Sequence, residues 1–505
     1  MNAPSEQLVP PGTSRVRLRV VIALSGILLP VGMGVWSIPG QPEQIEISPE
    51  TTVITEFTTF DGTRVNYLAW ARNRFGTADP TLDPWHLILF PIAEAELTYP
   101  GTRSLLNGEI DSRKADVLQQ RVELRRAVPF SRDDDPEFAA FVESNTDWYE
   151  LVMSTDPGPP SVGGLAIGGR NAGPGSAANL TEILLPLAST HRTISRRLLE
   201  YAMFLWGQGE RERALNVLAF VFKCRDREQQ LPIVIDQMVA SALDEQGCRA
   251  LWNIMLSSDN LTDGELAQIC AVRPDGCAAE MMREALQTEQ LMALDIVQYC
   301  RHKRASNEIL ISLAGPAKGV QGNMFCSNVA WNDQLRAFNN MFDQLEELMV
   351  VKDYQRRQDR MNSVIDGYRG AAMADTSKTY SFEELYWLDA NEYLRVKITE
   401  FIPLPGACGV LAQDSNHQQL IVLAALLHAW RRDHGEFPGT LKAVMGEDNG
   451  FRNEDAYTAQ PLDYQRTEDG FQIRILGQDG KPDDPQSGRR SDDQIWAWPY
   501  RSQAN

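Results

Sequence analysis

The feature that most constrains this chain is an uncharged run near its start, from Val20 to Ile38. A helix needs about 20 apolar residues to cross a bilayer, and this run is just long enough. Its glycines and Pro30 disfavour a soluble helix but are tolerated in lipid. We therefore predict that residues 1–42 are a cytoplasmic tail followed by a transmembrane anchor.

The charges on either side of the run indicate its orientation. Arg15, Arg17 and Arg19 precede it and glutamates follow it, which places the N-terminus in the cytoplasm. A cleaved signal peptide with a site at Val35-Trp36-Ser37 is the main alternative, although that site lacks two small residues. A buried core helix is another alternative, which the arginines disfavour. We expect a single-pass protein of the inner membrane, with the bulk of the chain on the periplasmic or extracytoplasmic side.

Composition excludes some classes of function. The chain has 505 residues, enough for several domains, and a formal net charge of -20. That charge argues against a nucleic-acid partner, which would require a basic face. Seven cysteines do not form a disulfide scaffold, and no C-x-x-C or local Cys/His motif indicates zinc. Cys270 and Cys277 flank a turn-forming segment, and we predict that they are bridged in an oxidising compartment.

Residues 43–180 are interpreted as a mixed, loop-rich region. Within it, Asp135-Pro136 indicates a helix start, because aspartate caps a first turn and proline suits its first position. The predicted helix runs to Met153. Three weaker features are a short helix within residues 58–75, a buried strand or short helix at 85–90, and a glycine-rich loop at 163–176.

Residues 181–411 show helical periodicity almost throughout. Gly207-Gln208-Gly209 separates two helices and, with Ala214, resembles the turn of a tetratricopeptide repeat. Because no fixed period continues, we predict an irregular TPR-like helical array. Further helices are predicted at residues 231–244, 247–256, 263–271, 278–293, 331–349, 354–368 and 382–401.

Residues 412–505 combine a helix with a small sheet. The helix, predicted at residues 416–434, stops at the glycine and proline of residues 435–439. Strands are predicted at 462–466 and 471–475, joined by a hairpin turn, with a last strand at 495–498. The overall prediction is a mostly α protein that ends in a small α+β domain.

The order of motifs in this C-terminal segment resembles the globular domain of the major pseudopilins of type II secretion. The motifs are His434 to Leu441, Pro461 to Tyr464, Gly477-Gln478-Asp479-Gly480 and Asp492 to Ile495. The resemblance implies a pseudopilin-like fold, a link to secretion or surface assembly, and an acidic loop that binds calcium. The peptidase site that precedes the pseudopilin helix does not occur in this sequence, so filament assembly is not expected.

Most of the chain is also similar to a family of uncharacterised membrane-anchored bacterial proteins. The similarity is carried by Pro136 to Asn145, by Leu198 to Ala214 and by Gly435 to Thr440. It implies the same arrangement of anchor, helical array and C-terminal domain, and it implies no activity.

The acidic loop is the best candidate for a metal site. Calcium takes about six to eight oxygen ligands from carboxylates and carbonyls on a bent loop, and the loop's glycines permit the bend. The candidate ligands are Asp479, Asp483, Asp484, Asp492 and Asp493. The pseudopilin resemblance supports Asp479 most directly. The alternative is a solvated acidic loop without a metal.

No motif predicts catalysis. The glycines of residues 173–178 follow no strand, so we interpret them as a linker rather than a dinucleotide site. The histidines are separated in sequence; His428 is expected to pack in a core and His434 to complement a helix C-terminus. We therefore expect a non-enzymatic envelope scaffold with protein partners. The alternative is an exported hydrolase or ligand-binding protein with its site in the helical groove.

Overall fold

The computed structural model describes most of the region after the predicted anchor. Its described residues are 44–58, 64–75, 112–155, 186–230, 233–272, 279–302, 329–351, 353–370, 395, 399, 404–445, 453–477, 479–482 and 493–499. The predicted anchor and the features at 85–90 and 163–176 lie outside these residues. Among the helices that are described, none has the length and apolar character needed to cross a bilayer.

The described residues are mostly helical and include one small sheet, as the sequence predicts. The helices are α1 (Pro49–Thr52), α2 (Tyr67–Phe75), α3 (Ser112–Ala127), α4 (Pro136–Ser144), α5 (Thr146–Ser154), α6 (Pro186–Gly207), α7 (Arg211–Gln229), α8 (Val234–Ser257), α9 (Asp263–Val272), α10 (Ala279–His302), α11 (Trp331–Leu348), α12 (Tyr354–Arg369), α13 (Leu404–His434) and α14 (Lys442–Met445). The strands are β1 (Asp463–Arg466), β2 (Phe471–Ile475) and β3 (Gln494–Trp498).

The predicted helix start at Asp135 is confirmed. The Asp135 carboxylate accepts a hydrogen bond from the backbone N–H of Phe138 at 3.1 Å and pairs with Arg121 and Arg125. Burial alone would raise the pKa of Asp135, but these donors outweigh it and hold the pKa at about 2. The helix is shorter than predicted, because the chain bends at Asn145 and continues as α5.

The predicted break between two helices at residues 207–209 is also confirmed. α6 ends at Gly207, where a Cβ atom would lie 2.0 Å from the carbonyl oxygen of Phe130. Gly209 has a φ of 85°, which glycine adopts without strain. α7 then packs back along α6, so the two helices form a hairpin.

The two helices predicted at residues 231–256 form a single helix, α8. Gly247 was interpreted as a helix start, but it lies in the middle of α8. A Cβ atom there would come within 2.8 Å of the Phe222 ring. This glycine therefore permits close packing of α8 on α7 and does not interrupt the helix.

The C-terminal helix α13 begins earlier than predicted, at Leu404, and passes through the predicted domain boundary at 411/412. The predicted hairpin and last strand are confirmed as an antiparallel sheet in the order β1-β2-β3. Phe471 pairs with Arg466 on one side and Trp498 on the other. Alternate residues of β2 are buried, as expected for a strand with one covered face.

The sheet packs against α8. The Trp252 ring on α8 lies edge-on to Phe471 and to Trp496, with centroids 5.7 and 5.4 Å apart. Arg249, one turn earlier, donates a hydrogen bond to the carbonyl of Ile495 at 3.1 Å. As a result, one hydrophobic core continues from the N-terminal segment through the helices into the sheet.

The described residues give no support to the predicted disulfide between Cys270 and Cys277. Cys270 is a half-buried free thiol whose pKa is raised by burial, and Cys277 lies outside the described residues. Cys224, Cys248 and Cys408 are buried and form no disulfide, as expected for cysteines in apolar helices.

Two buried carboxyl groups, Asp236 on α8 and Glu289 on α10, have strongly raised pKa values. Burial raises each pKa to about 7, and the charge of Glu289 contributes to the shift of Asp236. The Glu289 carboxylate accepts a hydrogen bond from the N–H of Val234 at 3.2 Å. Carboxyl groups in the unfolded chain titrate at about pH 4. Between about pH 4 and pH 7 the folded protein therefore binds more protons at these two groups than the unfolded chain does.

We expect these two groups to make the folded protein less stable as pH rises from 4 to 7. Asp236→Asn removes one ionisable carboxyl. The melting temperature of this variant minus that of the wild type should therefore increase from pH 5 to pH 8. Thermal unfolding of the full chain across this range measures the effect. Asp469→Asn, at an exposed position in the hairpin turn between β1 and β2, is the control and should leave the pH profile unchanged. Parallel profiles for Asp236→Asn and wild type would contradict the assignment.

Candidate functional site

A groove of about 670 Å³ opens between the N-terminal segment and helices α10 and α11. Its walls combine amides, carboxylates and one arginine with a few apolar groups, among them Trp70 and Leu291. The α10 and α11 residues come from two amphipathic helices that pack together, and α1 lies across α11. The groove therefore joins residues that are far apart in the sequence.

Amide side chains fix the floor of the groove. Gln290 Nε2 on α10 donates to Asn339 Oδ1 on α11 at 3.0 Å, and both side chains are buried. Asn339 Nδ2 in turn donates to the carbonyl of Glu50 at 2.9 Å. Because each amide is held by the next, the three segments are positioned before any ligand binds.

Charged side chains form the rim. Arg336 on α11 is half exposed and pairs with Glu46 at 2.9 Å and with Asp333 at 3.2 Å. Glu346, nearly three turns further along α11, accepts a hydrogen bond from Gln287 at 2.9 Å. Burial raises the pKa of Glu346, and the Gln287 hydrogen bond opposes that shift. The rim thus offers both signs of charge to a ligand.

This arrangement is suited to binding a polar group. Asp343, Glu346 and the amides can accept or donate hydrogen bonds, and Trp70 adds an aromatic surface. No local sequence pattern predicts this set of residues, because Glu50 and Asn339 are separated by 289 positions. The helical periodicity of α11 was the only available signal, and it predicts the buried face rather than the groove.

A second, smaller cavity of about 430 Å³ lies beside the α6–α7 hairpin. Arg211 crosses it to Glu265 at 2.9 Å and lies over the Trp206 ring at 5.5 Å. The larger groove is the better candidate for binding, because it offers more space and a larger set of amide and carboxylate side chains than this cavity.

The predicted acidic loop is described only in part. Asp479 is exposed, and its Oδ1 accepts a hydrogen bond from the N–H of Lys481 at 2.9 Å. Asp493 is buried, and its Oδ1 accepts from the N–H of Gly477 at 3.1 Å. Asp483, Asp484 and Asp492 lie outside the described residues. Calcium binding by this loop stays a prediction.

The start of the acidic loop is held in place by Asp455, which belongs to none of the motifs seen in the sequence. Its carboxylate accepts hydrogen bonds from Asn416 Nδ2 at 3.2 Å, from Tyr457 N at 2.9 Å and from Leu476 N at 2.9 Å. Burial raises the pKa of Asp455, and these donors oppose the shift. Asp455 therefore connects α13 to the end of β2.

His428 and His434 lie in α13 where the sequence predicts them. His428 is buried, and burial lowers its pKa, which agrees with a packing role. His434 stacks on the Trp430 ring at the C-terminus of α13, with centroids 3.9 Å apart. His417 differs, because its Nδ1 lies 2.7 Å from Asp244 Oδ2 in the interior.

His417 lies beside Asp244 and Cys248 of α8, and all three are residues of types that commonly bind metal ions. All three side chains are buried. Zinc motifs in a sequence consist of ligands that are close together along the chain, whereas Asp244 and His417 are 173 positions apart. Only the packing of α13 on α8 brings them together.

Comparison with known proteins gave no match: no family model, curated protein or solved structure is similar to this chain. The candidate sites are therefore assessed on their geometry and chemistry.

For the acidic loop, we expect calcium to raise the melting temperature of the full chain relative to chelator. Binding to the folded form alone contributes about 2.7 kcal/mol at a hundredfold excess over the dissociation constant. Magnesium should substitute poorly, since it requires a tighter octahedron. Asp479→Ala should remove most of the calcium effect, and Asp469→Ala in the exposed hairpin turn should retain it. Equal melting temperatures with calcium and chelator would leave the solvated loop as the explanation.

Proposed function

We propose that this chain is a non-enzymatic, single-pass envelope protein that acts as an interaction scaffold. Its N-terminal helix anchors it in the inner membrane, and the remainder lies on the extracytoplasmic side. The arginines before the uncharged run support this orientation. The partner is a protein of the envelope, bound by the helical part of the chain.

The groove between the N-terminal segment, α10 and α11 is the single observation that carries the binding role. Its amides are already hydrogen-bonded to one another, so a partner meets a rigid surface and loses little conformational entropy there. Its rim presents Arg336 beside carboxylates, which favours a partner with complementary charges. Such polar, partly open grooves are typical of interfaces that form and dissociate.

The finer description of the fold is part of the same proposal. The α6–α7 hairpin, with its Gly207 and Gly209 turn, is the TPR-like unit of an irregular array. The helix α13 followed by β1, β2 and β3 is the pseudopilin-like unit, which links the scaffold to secretion or surface assembly. The order of helix and hairpin supports this assignment.

A second candidate is an exported protein that binds a small ligand, or a hydrolase, with its site in the same groove. The observation in its favour is that two acidic side chains on adjacent turns of α11, Asp343 and Glu346, line the groove. Convergent carboxylates suit hydroxyl-rich or cationic ligands.

The test is site-specific photo-crosslinking in intact cells. A photoreactive amino acid replaces Asn340, an exposed residue that lines the groove. We expect a discrete protein adduct that is lost when Asp343→Ala and Gln287→Ala are combined, because both side chains are exposed groove residues. Asp359→Ala, on the exposed side of α12, is the control and should leave the adduct intact.

An adduct that survives the double substitution would contradict the groove as the binding surface. If no protein adduct forms and native mass spectrometry of the purified chain retains a small molecule that the double variant loses, the second candidate is correct instead.

A further inference from the structure

We propose that Asp244, Cys248 and His417 form a zinc site that joins α8 to α13. This inference is independent of the groove and of the predicted calcium loop. It rests on the geometry, the chemical type and the position of the three side chains.

Helix geometry places two of the ligands together. Asp244 and Cys248 are four residues apart on α8, so their side chains lie on one face, one above the other. His417 approaches the same face from α13, the helix that packs most extensively on α8. Three ligand atoms, one from each residue, lie within 4.8 Å of one another.

One of the three separations matches a tetrahedral zinc site, and a second is shorter by the difference between a hydrogen bond and a shared ion. Bonds of about 2.0 Å to nitrogen and oxygen and about 2.3 Å to sulfur place neighbouring ligand atoms about 3.3 to 3.7 Å apart. Cys248 Sγ lies 3.7 Å from Asp244 Oδ2. His417 Nδ1 lies 2.7 Å from the same oxygen, a hydrogen-bond distance that opens by about half an ångström when an ion replaces the shared proton.

The ligand types select the metal. Thiolate, imidazole and carboxylate together suit zinc, whereas calcium and magnesium require oxygen ligands. Zinc binding uses the lone pair of His417 Nδ1 and the thiolate of Cys248. The thiol proton is released to solvent, and the ring proton moves to Nε2.

The histidine can make this change. His417 Nε2 is buried and accepts or donates no hydrogen bond within the part of the chain that the structure describes. Moving the ring proton to Nε2 therefore breaks no hydrogen bond at that nitrogen, and the hydrogen bond that is given up is the one between Nδ1 and Asp244. The Trp496 ring lies 5.9 Å from the imidazole and covers it on the side of the sheet.

Charge around the site is compatible with the ion. The carboxylate of Asp244 and the thiolate of Cys248 offset the double charge of zinc. Arg225, which is also buried, lies 3.4 Å from Asp244 Oδ1, and Asp226 pairs with the same guanidinium at 2.8 Å. The cluster is thus close to neutral when it is loaded, as a buried site requires.

A metal at this position would cross-link α8 and α13, which form the largest helix–helix contact among the described residues. Since binding occurs only when α8 and α13 are packed together, zinc should stabilise the folded form. The competing account is that Asp244 and His417 only form a buried hydrogen bond between the two helices. The two accounts differ in whether Cys248 affects metal content.

The test uses the full-length protein, purified in detergent and stripped with chelator. We expect it to take up one zinc ion per chain and to melt at a higher temperature with zinc than with chelator. With water as the fourth ligand, cobalt in place of zinc should give the visible bands of a tetrahedral ion and a thiolate-to-cobalt charge-transfer band. The cobalt spectrum is measured on the wild-type chain, so it does not depend on a variant that folds.

Cys248→Ala should weaken zinc binding by at least about 10-fold, since even the loss of an outer partner has an effect of that size. It should also abolish the charge-transfer band. Cys408→Ala is the matched control, because Cys408 is likewise a buried free thiol but contacts Met361 instead. Absence of zinc uptake by the wild type, or equal uptake and spectra for Cys248→Ala and wild type, would overturn the proposal.

Discussion

The packing of α13 on α8 is the contact on which the rest of the structure depends. At one end His417 meets Asp244, and at the other Arg431 donates to the carbonyl of Leu256 at 2.7 Å. Between them, Leu420 and Leu427 of α13 are completely buried. Burial of each such leucine contributes about 1.5 to 3 kcal/mol to the stability of this contact, and the polar contacts fix the register of the two helices. The sheet adds to the same core because Trp252 packs against β2 and β3.

The groove is positioned by other elements, namely the N-terminal segment, α10 and α11. Asn332 at the start of α11 donates to the carbonyl of Gln44 at 3.0 Å and accepts from the N–H of Glu46 at 2.9 Å. These bonds hold the segment before α1 against α11, so that α1 and the two residues Val53 and Ile54 after it can form one wall of the groove. A scaffold built in this way keeps its binding surface on rigid elements, while the covering segment comes from the part of the chain nearest the predicted membrane anchor.

Local signals in the sequence predict much of the secondary structure. The bounds of β2 and the cap at Asp135 follow from alternation and from capping chemistry, which are properties of neighbouring residues. The prediction failed at Gly247, because a glycine that admits the Phe222 ring is indistinguishable in sequence from one that ends a helix. The groove and the Asp244–His417 contact could not be predicted, since each joins residues that only tertiary packing brings together. The acidic loop, by contrast, can be predicted as a candidate metal site from the sequence, because its candidate ligands are close together along the chain.

The most direct test of this account is hydrogen–deuterium exchange of the full chain. If α8, α13 and β2 share one core, their most protected amides should exchange through a common opening with the same free energy. That free energy should also fall equally in all three elements when Trp252 is replaced by alanine. The contrary result is a sheet and a second half of α13 that open at a lower free energy while α8 stays protected. Residues 412–505 would then be an independent domain, and the contact between α8 and α13 would not organise the fold.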